Sequence, residues 1–304
     1  MSNTTIKVAL DWTPNTIHSG LFVALEKGFY KEQGLDVKLL APDANYSQTP
    51  AKLLENGEVD LAICPSESCI AHRESEKMHL QAIYAILQQD ASAIVTCRPE
   101  YADIKTLEKA TYGSYNARYE DHIVRAMVNN GGGDGTQMKI KSSAGKLTLF
   151  DELQQGAVDA TWVFMPWEGV EADQKGTKLN VFKTEAYGIP YGYSPVIARN
   201  AGSQNPNTDA LRKFVAATRR DYEHAIKSPD DVAATLAPHC RPQRSVEFLT
   251  QSQRQINGFY DDEGRLGSMD AEKWSRWIEW LKSQDLLKST QVAATDLFTN
   301  EFFA

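Results

Sequence analysis

Two short segments decide the fold, because the same pattern occurs twice in the chain. They read Leu54-Glu55-Asn56-Gly57-Glu58-Val59-Asp60-Leu61-Ala62 and Leu153-Gln154-Gln155-Gly156-Ala157-Val158-Asp159-Ala160-Thr161. Leu, Gly, Val and Asp recur at a constant offset of 99 residues. Each copy combines a helix end, a glycine that can adopt the left-handed cap conformation, and a strand that enters the core. The repeat therefore predicts two similar α/β lobes.

Short apolar strands alternate with amphipathic helices around both copies, which predicts mostly parallel sheets covered on both faces. The predicted strands are Ile6–Trp12, Val37–Leu40, Val59–Cys64, Gln81–Leu87, Thr111–Ser114, Lys139–Ser143, Val158–Val163 and Leu179–Phe182. The predicted helices up to residue 200 are one that includes Phe22–Phe29, then Thr49–Asn56, Ser66–Lys77, Tyr119–Asn130 and Lys146–Gln155.

The last third of the chain is predicted to be nearly all helical and to return to the first lobe. Its predicted helices are Thr208–Ile226, Pro229–Ala237, Ser245–Gly258, Ala271–Ser283 and Thr295–Phe303. We therefore assign residues 1–95 and 200–304 to lobe one and residues 96–199 to lobe two. In two-lobed α/β proteins small molecules bind in the cleft between the lobes, which is the expected location of the site.

Composition restricts the class of partner. Acidic residues outnumber basic ones by 40 to 32, for a formal charge of −8 over 304 residues. Because phosphate binding needs a basic face, nucleic acid is not expected as a partner. No apolar run approaches the ~18 residues that a membrane span requires, so no membrane insertion is expected.

The cysteines and the first residues predict the compartment. Four cysteines lack the spacing of metal ligands, which predicts free thiols in a reducing environment and no metal site. Residues 1–5 carry neither a basic start nor an apolar stretch, so no secretory signal is predicted. We expect a cytoplasmic protein. Removal of a leader before this numbering would instead place the chain in the periplasm.

Candidate binding residues follow the predicted strands, because ligands of open α/β sheets lie at the carboxyl ends of the strands. Cys64, Glu67 and Glu120 occupy the same loops and, with His18 and Arg118, are the candidates for a catalytic role. The candidate ligand-binding residues are Asp11, Trp12, Asn15, His18, Ser66, Ser68, Tyr115, Arg118, Trp167 and Glu168.

Several candidates have an alternative structural interpretation. Trp12 beside Asp11 suits the stacking and hydrogen bonding of a flat heterocycle, but it also suits packing between layers. His18 is either a ligand contact or a histidine bonded to backbone at a helix start. Ser66 is either an anion contact or a helix N-cap. Arg118 gains nothing from a helix N-terminus, which favours a carboxylate or phosphate as its partner.

The opening segments point to a family. The opening motif is Leu10-Asp11-Trp12-Thr13-Pro14-Asn15-Thr16-Ile17-His18, then Phe22-Val23-Ala24 and Lys27-Gly28-Phe29-Tyr30-Lys31-Glu32-Gln33-Gly34-Leu35-Asp36-Val37. This motif resembles the opening of the thiamin-pyrimidine family, which includes formylaminopyrimidine-binding proteins and the fungal hydroxymethylpyrimidine phosphate synthase. Weaker resemblance occurs at Gly57-Glu58-Val59-Asp60, Tyr187-Gly188-Ile189-Pro190 and Met269-Asp270-Ala271-Glu272 with Trp274.

The resemblance implies a two-lobed type II periplasmic-binding-protein fold with a helical C-terminal region. It further implies that Trp12, Asn15, His18, the loop after Cys64, Trp167, Glu168 and Tyr187 face a pyrimidine. The chain departs from the fungal synthase, whose pyridoxal-phosphate lysine and sacrificed histidine correspond to Cys64 and Ser68 here. The synthase's cysteine-rich iron-associated run is replaced by Gly188-Ile189-Pro190-Tyr191-Gly192-Tyr193-Ser194-Pro195. We therefore expect no cofactor and no reaction by that mechanism.

Two hypotheses follow. The first is a binding protein for a thiamin-precursor-like pyrimidine: Trp12 stacks on the ring and Asp11 or Glu168 accepts its amino hydrogens. In that hypothesis Arg118, Ser66 and Ser68 hold an anionic substituent, while Tyr115 and Tyr187 line the cleft. A transporter permease is the expected partner of an exported form. The second hypothesis is a cytosolic enzyme of the same metabolism, and a cytosolic sensor is a third possibility.

Overall fold

The computed structural model describes residues 3–43, 46–142, 148–203, 207–289 and 291–303. In these ranges there are ten strands and twelve α-helices. The strands are β1 (Thr4–Ala9), β2 (Leu35–Leu40), β3 (Leu61–Cys64), β4 (Leu80–Ala85), β5 (Ser92–Thr96), β6 (Thr111–Ser114), β7 (Lys139–Ser142), β8 (Ala160–Phe164), β9 (Asn180–Phe182) and β10 (Val196–Asn200).

The helices confirm most of the predicted ones, with shifted ends. They are α1 (Ser19–Glu26), α2 (Phe29–Glu32), α3 (Pro50–Glu55), α4 (Ser66–Glu74), α5 (Glu120–Asn130), α6 (Leu149–Gln154), α7 (Val170–Lys175), α8 (Thr208–Lys227), α9 (Pro229–Leu236), α10 (Val246–Tyr260), α11 (Ala271–Ser283) and α12 (Ala294–Leu297). The predicted strand end at Ser143 and helix start at Lys146 lie outside the described residues.

The chain forms two compact units, and each contains one five-stranded sheet. Unit 1 comprises residues 1–90 and 192–304, and unit 2 comprises residues 91–191. The divisions predicted from the sequence fall after residues 95 and 199. The strand orders are β2-β1-β3-β10-β4 in unit 1 and β7-β6-β8-β5-β9 in unit 2. The two sheets therefore have the same arrangement, as the repeat predicts.

The strands β5 and β10 are absent from the elements predicted from the sequence. Each is the fourth strand of its sheet and pairs antiparallel with both neighbours, while the other strands of that sheet share one direction. The expectation of α/β units with mostly parallel strands is confirmed. The direction of these strands is not predictable from period and propensity, which carry no information about which way a strand runs.

Two local differences have clear physical reasons. The single helix predicted through Phe29 is interrupted at Gly28, whose φ of +77° lies in the left-handed region. The predicted final helix Thr295–Phe303 is wrong. α12 ends at Leu297, and the amide of Thr299 then donates to the carbonyl of Ala82 on β4 at 2.9 Å. That pairing with a strand replaces the helical hydrogen bonds.

Each unit has its own apolar core. In unit 1 the buried side chains include Val8, Leu61, Ile63 and Ile197 on neighbouring strands. In unit 2 a cluster joins β5, β8 and helices on one face of the sheet; it consists of Ala93, Val95, Phe150, Leu153, Val158, Val163 and Ala172. Among the described residues, no helix combines the length and apolar character needed to cross a bilayer.

Candidate functional site

In unit 1 the candidate residues gather where three adjacent strands end. β1 pairs in parallel with β2 on one side and β3 on the other, so the carboxyl ends of all three lie at one edge of the sheet. Asp11 follows β1, Tyr46 follows β2, and Cys64 ends β3. We call this edge, with Asp11, Trp12, Tyr46, Cys64 and Ser68, the unit 1 edge.

A histidine supports the Asp11 carboxylate. His18 ends a one-turn 3-10 helix, and its Nε2 lies 2.7 Å from Oδ1 of Asp11. The backbone amide of Asn15 donates to Nδ1 of His18 over 3.3 Å. The His18 side chain is completely buried, whereas that of Asp11 is 21% exposed. Asp11 is therefore the member of this pair that a ligand can contact.

Asn15 also has a local structural role. Its Oδ1 accepts a hydrogen bond from the amide of Ile17 at 2.8 Å, and its Nδ2 donates to the carbonyl of Thr13 at 3.0 Å. Together with His18 it forms a reciprocal cap of the 3-10 turn. Both side chains are buried and support the turn, and their contact with a ligand stays a prediction.

Tyr46, which the sequence analysis did not nominate, completes an aromatic pair. Its ring and that of Trp12 have centroids 5.7 Å apart and are tilted by 50°. Its hydroxyl donates to the carbonyl of Asp11. Burial raises the pKa of the Tyr46 phenol, so the hydroxyl remains a donor at neutral pH. The rule that selected Asp11, proximity to the end of a parallel strand, would have found Tyr46 if applied to β2.

The residues after β3 are mostly buried. Cys64 and Cys69 are 2% and 0% exposed, and Glu67 is 3% exposed. A hydrogen bond with Cys69 and burial raise the pKa of the Cys64 thiol well above its ordinary value. Because the thiolate is the nucleophile, this environment disfavours a catalytic role for Cys64. A thiol also forms no imine, so Cys64 does not fit pyridoxal phosphate.

Ser66 is covered from within unit 1. It is the first residue of α4, and Pro65 rather than Ser66 is the N-cap, so the predicted capping role is wrong. A Cβ placed on Gly192 would lie 2.4 Å from Oγ of Ser66 and 2.7 Å from Cδ1 of Trp277. Ser66 is 0% exposed, and its contact with an anion stays a prediction. Ser68 is only half-buried.

In unit 2 the loop after β6 is organised by one buried carboxylate. Glu120, which is 3% exposed, accepts hydrogen bonds from the hydroxyls of Tyr112 and Ser114 at 2.8 and 3.3 Å. It also accepts from the amides of Tyr115 and Ala117 at 3.1 and 3.0 Å. Burial raises the pKa of Glu120. With its acceptors engaged in this way, Glu120 holds the loop after β6 in place.

This loop presents polar side chains beside those that follow β8. Tyr115 is half-buried, and burial together with the charge of Glu168 raises the pKa of its phenol. Glu168 lies on a π-helical turn, Met165–Gly169, and accepts from the amide of Phe164 at 2.9 Å. Trp167 on the same turn is only 8% exposed. We call Tyr115, Arg118 and Glu168 the unit 2 edge.

Arg118 and Tyr187 differ in position. Arg118 is exposed, and within the described part of the chain no carboxylate forms an ion pair with it. Tyr187 packs at the other end of α5, where Asn130 donates to its carbonyl at 2.8 Å. Since α5 begins at Glu120, its length of about 16 Å separates Tyr187 from the unit 2 edge. The structure therefore does not bring Tyr187 together with Tyr115.

The donor set does not favour a metal. No group of three or more His, Cys, Asp and Glu side chains in the described ranges is arranged to hold one. The four cysteines are free thiols, three of them buried.

Comparison with known proteins places the chain among its relatives. A formylaminopyrimidine-binding protein of Halalkalibacterium halodurans is 24% identical over 303 residues, which cover 97% of this chain and 90% of that protein. A Saccharomyces cerevisiae 4-amino-5-hydroxymethyl-2-methylpyrimidine phosphate synthase, THI11, is 38% identical over 63 residues, 21% of this chain and 18% of that protein.

A solved structure shows the same fold. The Candida albicans CA3427 product, which has the generic periplasmic-binding-protein fold, superposes with a TM-score of 0.72 at 15% identity. The superposition covers 97% of this chain and 96% of that one. The predicted fold class is thereby confirmed. The family model described as NMT1/THI5 like matches residues 15–232, which is more than half of the sequence. The chain therefore belongs to the NMT1/THI5-like family.

Proposed function

We propose that this protein binds a small heteroaromatic ligand, a pyrimidine of the thiamin-precursor type. The observation that carries the proposal is the unit 1 edge. There a partly exposed carboxylate, Asp11, lies beside the tilted aromatic pair of Trp12 and Tyr46. An aromatic surface next to an in-plane acceptor suits a flat ring with an exocyclic amino group.

Two further observations support this proposal. The formylaminopyrimidine-binding relative aligns over nearly the whole chain. The buried state of His18, Cys64 and Glu67, at 0%, 2% and 3% exposure, leaves these catalytic candidates without a surface that a substrate can reach. Binding without turnover is the function that these environments favour.

For the unit 2 edge we propose polar contacts with a ligand of the same class. Arg118 is the exposed cation that suits an anionic or carbonyl substituent. Tyr115 stays protonated because burial raises the pKa of its phenol, so its hydroxyl is a donor group at neutral pH. Glu168 accepts a hydrogen bond from the Phe164 amide at 2.9 Å, and its carboxylate contributes negative charge to this edge.

Calorimetry tests the proposal directly. Formylaminopyrimidine is titrated into the wild-type chain and into Trp12→Leu, with riboflavin and butanesulfonate as probes of other chemistry. We expect binding of the pyrimidine and a loss of roughly tenfold on Trp12→Leu, because stacking is removed. The control is Trp280→Leu, which removes a half-buried tryptophan of α11. Absence of pyrimidine binding by a folded chain would reject the proposal.

A second candidate function is an enzyme of thiamin-pyrimidine metabolism. The 63-residue match at 38% identity with the yeast synthase favours it. Mass spectrometry after incubation with pyrimidines and pyridoxal phosphate would show any product. Turnover that is lost on Cys64→Ser or His18→Ala would support an enzyme, and turnover that survives both changes would remove these residues from the reaction.

The protein partner depends on the compartment in which the chain is found. For an exported form we propose a membrane permease as the partner that receives the ligand, as the periplasmic-binding-protein fold suggests. Fractionation of cells that express the full gene distinguishes the cases. Recovery in the periplasm supports delivery to a permease, and recovery in the cytoplasm supports an intracellular carrier, sensor or enzyme.

A further inference from the structure

The hydrogen bonds of His18 fix the position of its proton. A backbone amide can only donate, so the Asn15 amide makes Nδ1 of His18 an acceptor. In this ring form the proton lies on Nε2, which is 2.7 Å from Oδ1 of Asp11. His18 therefore donates to Asp11, and the imidazole is the neutral tautomer. Because His18 is completely buried, it acts on a ligand only through Asp11.

The Asp11 carboxylate retains an open acceptor. Within the described residues its second oxygen, Oδ2, has no hydrogen-bond partner, and the side chain is 21% exposed. Oδ1 has one lone pair engaged by His18 and a second available. The carboxylate thus offers two acceptor positions along one edge to an incoming donor pair.

The charged and titratable groups that face Asp11 do not neutralise it. Tyr46 and Tyr222 interact with it, and burial raises the pKa of both phenols, so both remain neutral. Contact with Cys69 and burial raise the pKa of Cys64, so this thiol is neutral as well. His18 is the neutral tautomer. No lysine or arginine in the described part of the chain forms an ion pair with Asp11.

We propose, on the basis of the function proposed above, that Asp11 binds the amidine edge of an aminoheterocycle in its ring-protonated, cationic form, with His18 as the positioning residue. The exocyclic amino group and the protonated ring nitrogen form two parallel hydrogen bonds to the carboxylate. The ligand supplies the positive charge that the protein does not. A ligand that is neutral in solution takes up one proton from solvent as it binds, and no covalent bond changes.

The test uses two probes of the same shape, 4-amino-2-methylpyrimidine and 2,4-dimethylpyrimidine. The second replaces the amino group by a methyl group and removes the exocyclic donor. We expect the amino probe to bind at least tenfold more tightly. Above the ring pKa of the free probe, its affinity is expected to fall about tenfold per pH unit. Calorimetry at pH 8 in two buffers of different ionisation enthalpy is expected to show uptake of about one proton per bound probe.

Two variants of equal length separate positioning from packing. His18→Gln keeps an N–H near the position of Nε2, and His18→Met keeps the length without a donor. We expect His18→Gln to retain the affinity for the amino probe within about threefold, and His18→Met to lose roughly tenfold or more. Binding of the dimethyl probe is expected to change little in either. Asp11→Asn is expected to abolish proton uptake, while the exposed Asp230→Asn, paired with Arg254 on the surface, leaves it intact.

These experiments distinguish failure of the proposed binding function from failure of the cationic-ligand proposal. If neither probe nor formylaminopyrimidine binds a chain whose circular dichroism shows it folded, the function fails. If the amino probe binds with no proton uptake and no pH dependence, the cationic ligand is overturned while the function stands. If His18→Met folds and binds like the wild type, the positioning role is overturned. Should His18→Met fail to fold, the proton uptake of the wild type still decides the cationic form.

Discussion

The carboxylate of Asp60 accepts a hydrogen bond from the backbone amide of Lys7 at 2.8 Å, and the backbone amide of Asp60 donates to the carbonyl of Lys7 at 2.9 Å. In unit 2, Asp159 accepts from the amide of Thr111 at 2.8 Å and donates to its carbonyl at 2.8 Å. The repeated aspartate therefore joins the start of β3 or β8 to the strand beside it. This is the physical reason why the motif recurs.

We expect Asp60→Asn and Asp159→Asn each to lower the free energy of unfolding by about 1–2 kcal/mol, because a charge-assisted hydrogen bond to a backbone amide is weakened. Asp159→Asn is expected to cost more, since Asp159 also lies 3.1 Å from Nε of Arg98. Urea unfolding measures both, with the exposed Asp134→Asn turn variant as a control. Equal stability of all three variants and the wild type would contradict this account of the repeat.

A second prediction concerns Asp221 on α8. The side chain is fully buried, and neither carboxylate oxygen has a hydrogen-bond partner among the described residues. Burial raises its pKa to about 7. The positive charges of Arg220 and Lys27 lower this pKa, and the negative charge of Glu32 raises it further. The folded state therefore holds a proton that the unfolded state releases near its ordinary pKa. This contribution to stability is present below about pH 4 and is lost as the pH rises to about 7.

Asp221→Asn is expected to remove this dependence of the unfolding free energy on pH. The variant is expected to be more stable than the wild type at pH 8 by roughly 1–3 kcal/mol and to differ little from it at pH 4. Urea unfolding at pH 4, 5.5 and 8 measures the difference, and Asp209→Asn, an exposed position on the same helix, is the control. A difference that does not depend on pH would show that Asp221 does not titrate in this range.

A third prediction concerns the close approach at Gly192. A methyl group there would lie 2.4 Å from Oγ of Ser66 and 2.7 Å from Trp277, so Gly192→Ala is expected to destabilise unit 1 by about 1–3 kcal/mol. Gly258 in α10 has nothing within 4 Å of an added Cβ. Gly258→Ala is therefore the matched control and is expected to stabilise the helix by about 0.5–1 kcal/mol. Thermal unfolding followed by circular dichroism distinguishes the two signs.

A fourth prediction concerns Glu120, which holds the loop of the unit 2 edge. Glu120→Gln replaces one acceptor oxygen by a donor, so part of the hydrogen bonding from Tyr112, Ser114, Tyr115 and Ala117 is lost. We expect a loss of about 1–3 kcal/mol in unfolding free energy. Glu279→Gln, at an exposed position of α11, is the control. An unchanged midpoint for Glu120→Gln would mean that the loop does not depend on this carboxylate.

Much of the fold was predictable, because its determinants are local. The positions of strands and helices follow from apolar periods of two and 3.6, and the caps follow from glycine and proline. α11 was predicted with its observed bounds. The resemblance of Leu10–His18 to a family, confirmed by the comparisons, added the two-lobed architecture. The rule that candidate residues follow the carboxyl ends of strands nominated Asp11 and Trp12, and the structure places both after β1.

Other features required the tertiary structure, because they depend on residues distant in sequence. β10 runs antiparallel between β3 and β4, which no local pattern encodes. Ser66 is buried and lies close to Gly192, a residue far from it in sequence. Tyr46 belongs to the unit 1 edge because it contacts Asp11 and Trp12.

The sequence by itself thus determined the repeated α/β units and the loops that carry polar and aromatic side chains, since short-range hydrogen bonding and periodicity fix both. The tertiary structure decided which of those side chains are buried. His18 and Asn15 are buried and hold the turn after β1, whereas Asp11 stays partly exposed. Exposure is set by the packing of the whole unit and not by neighbours in the chain.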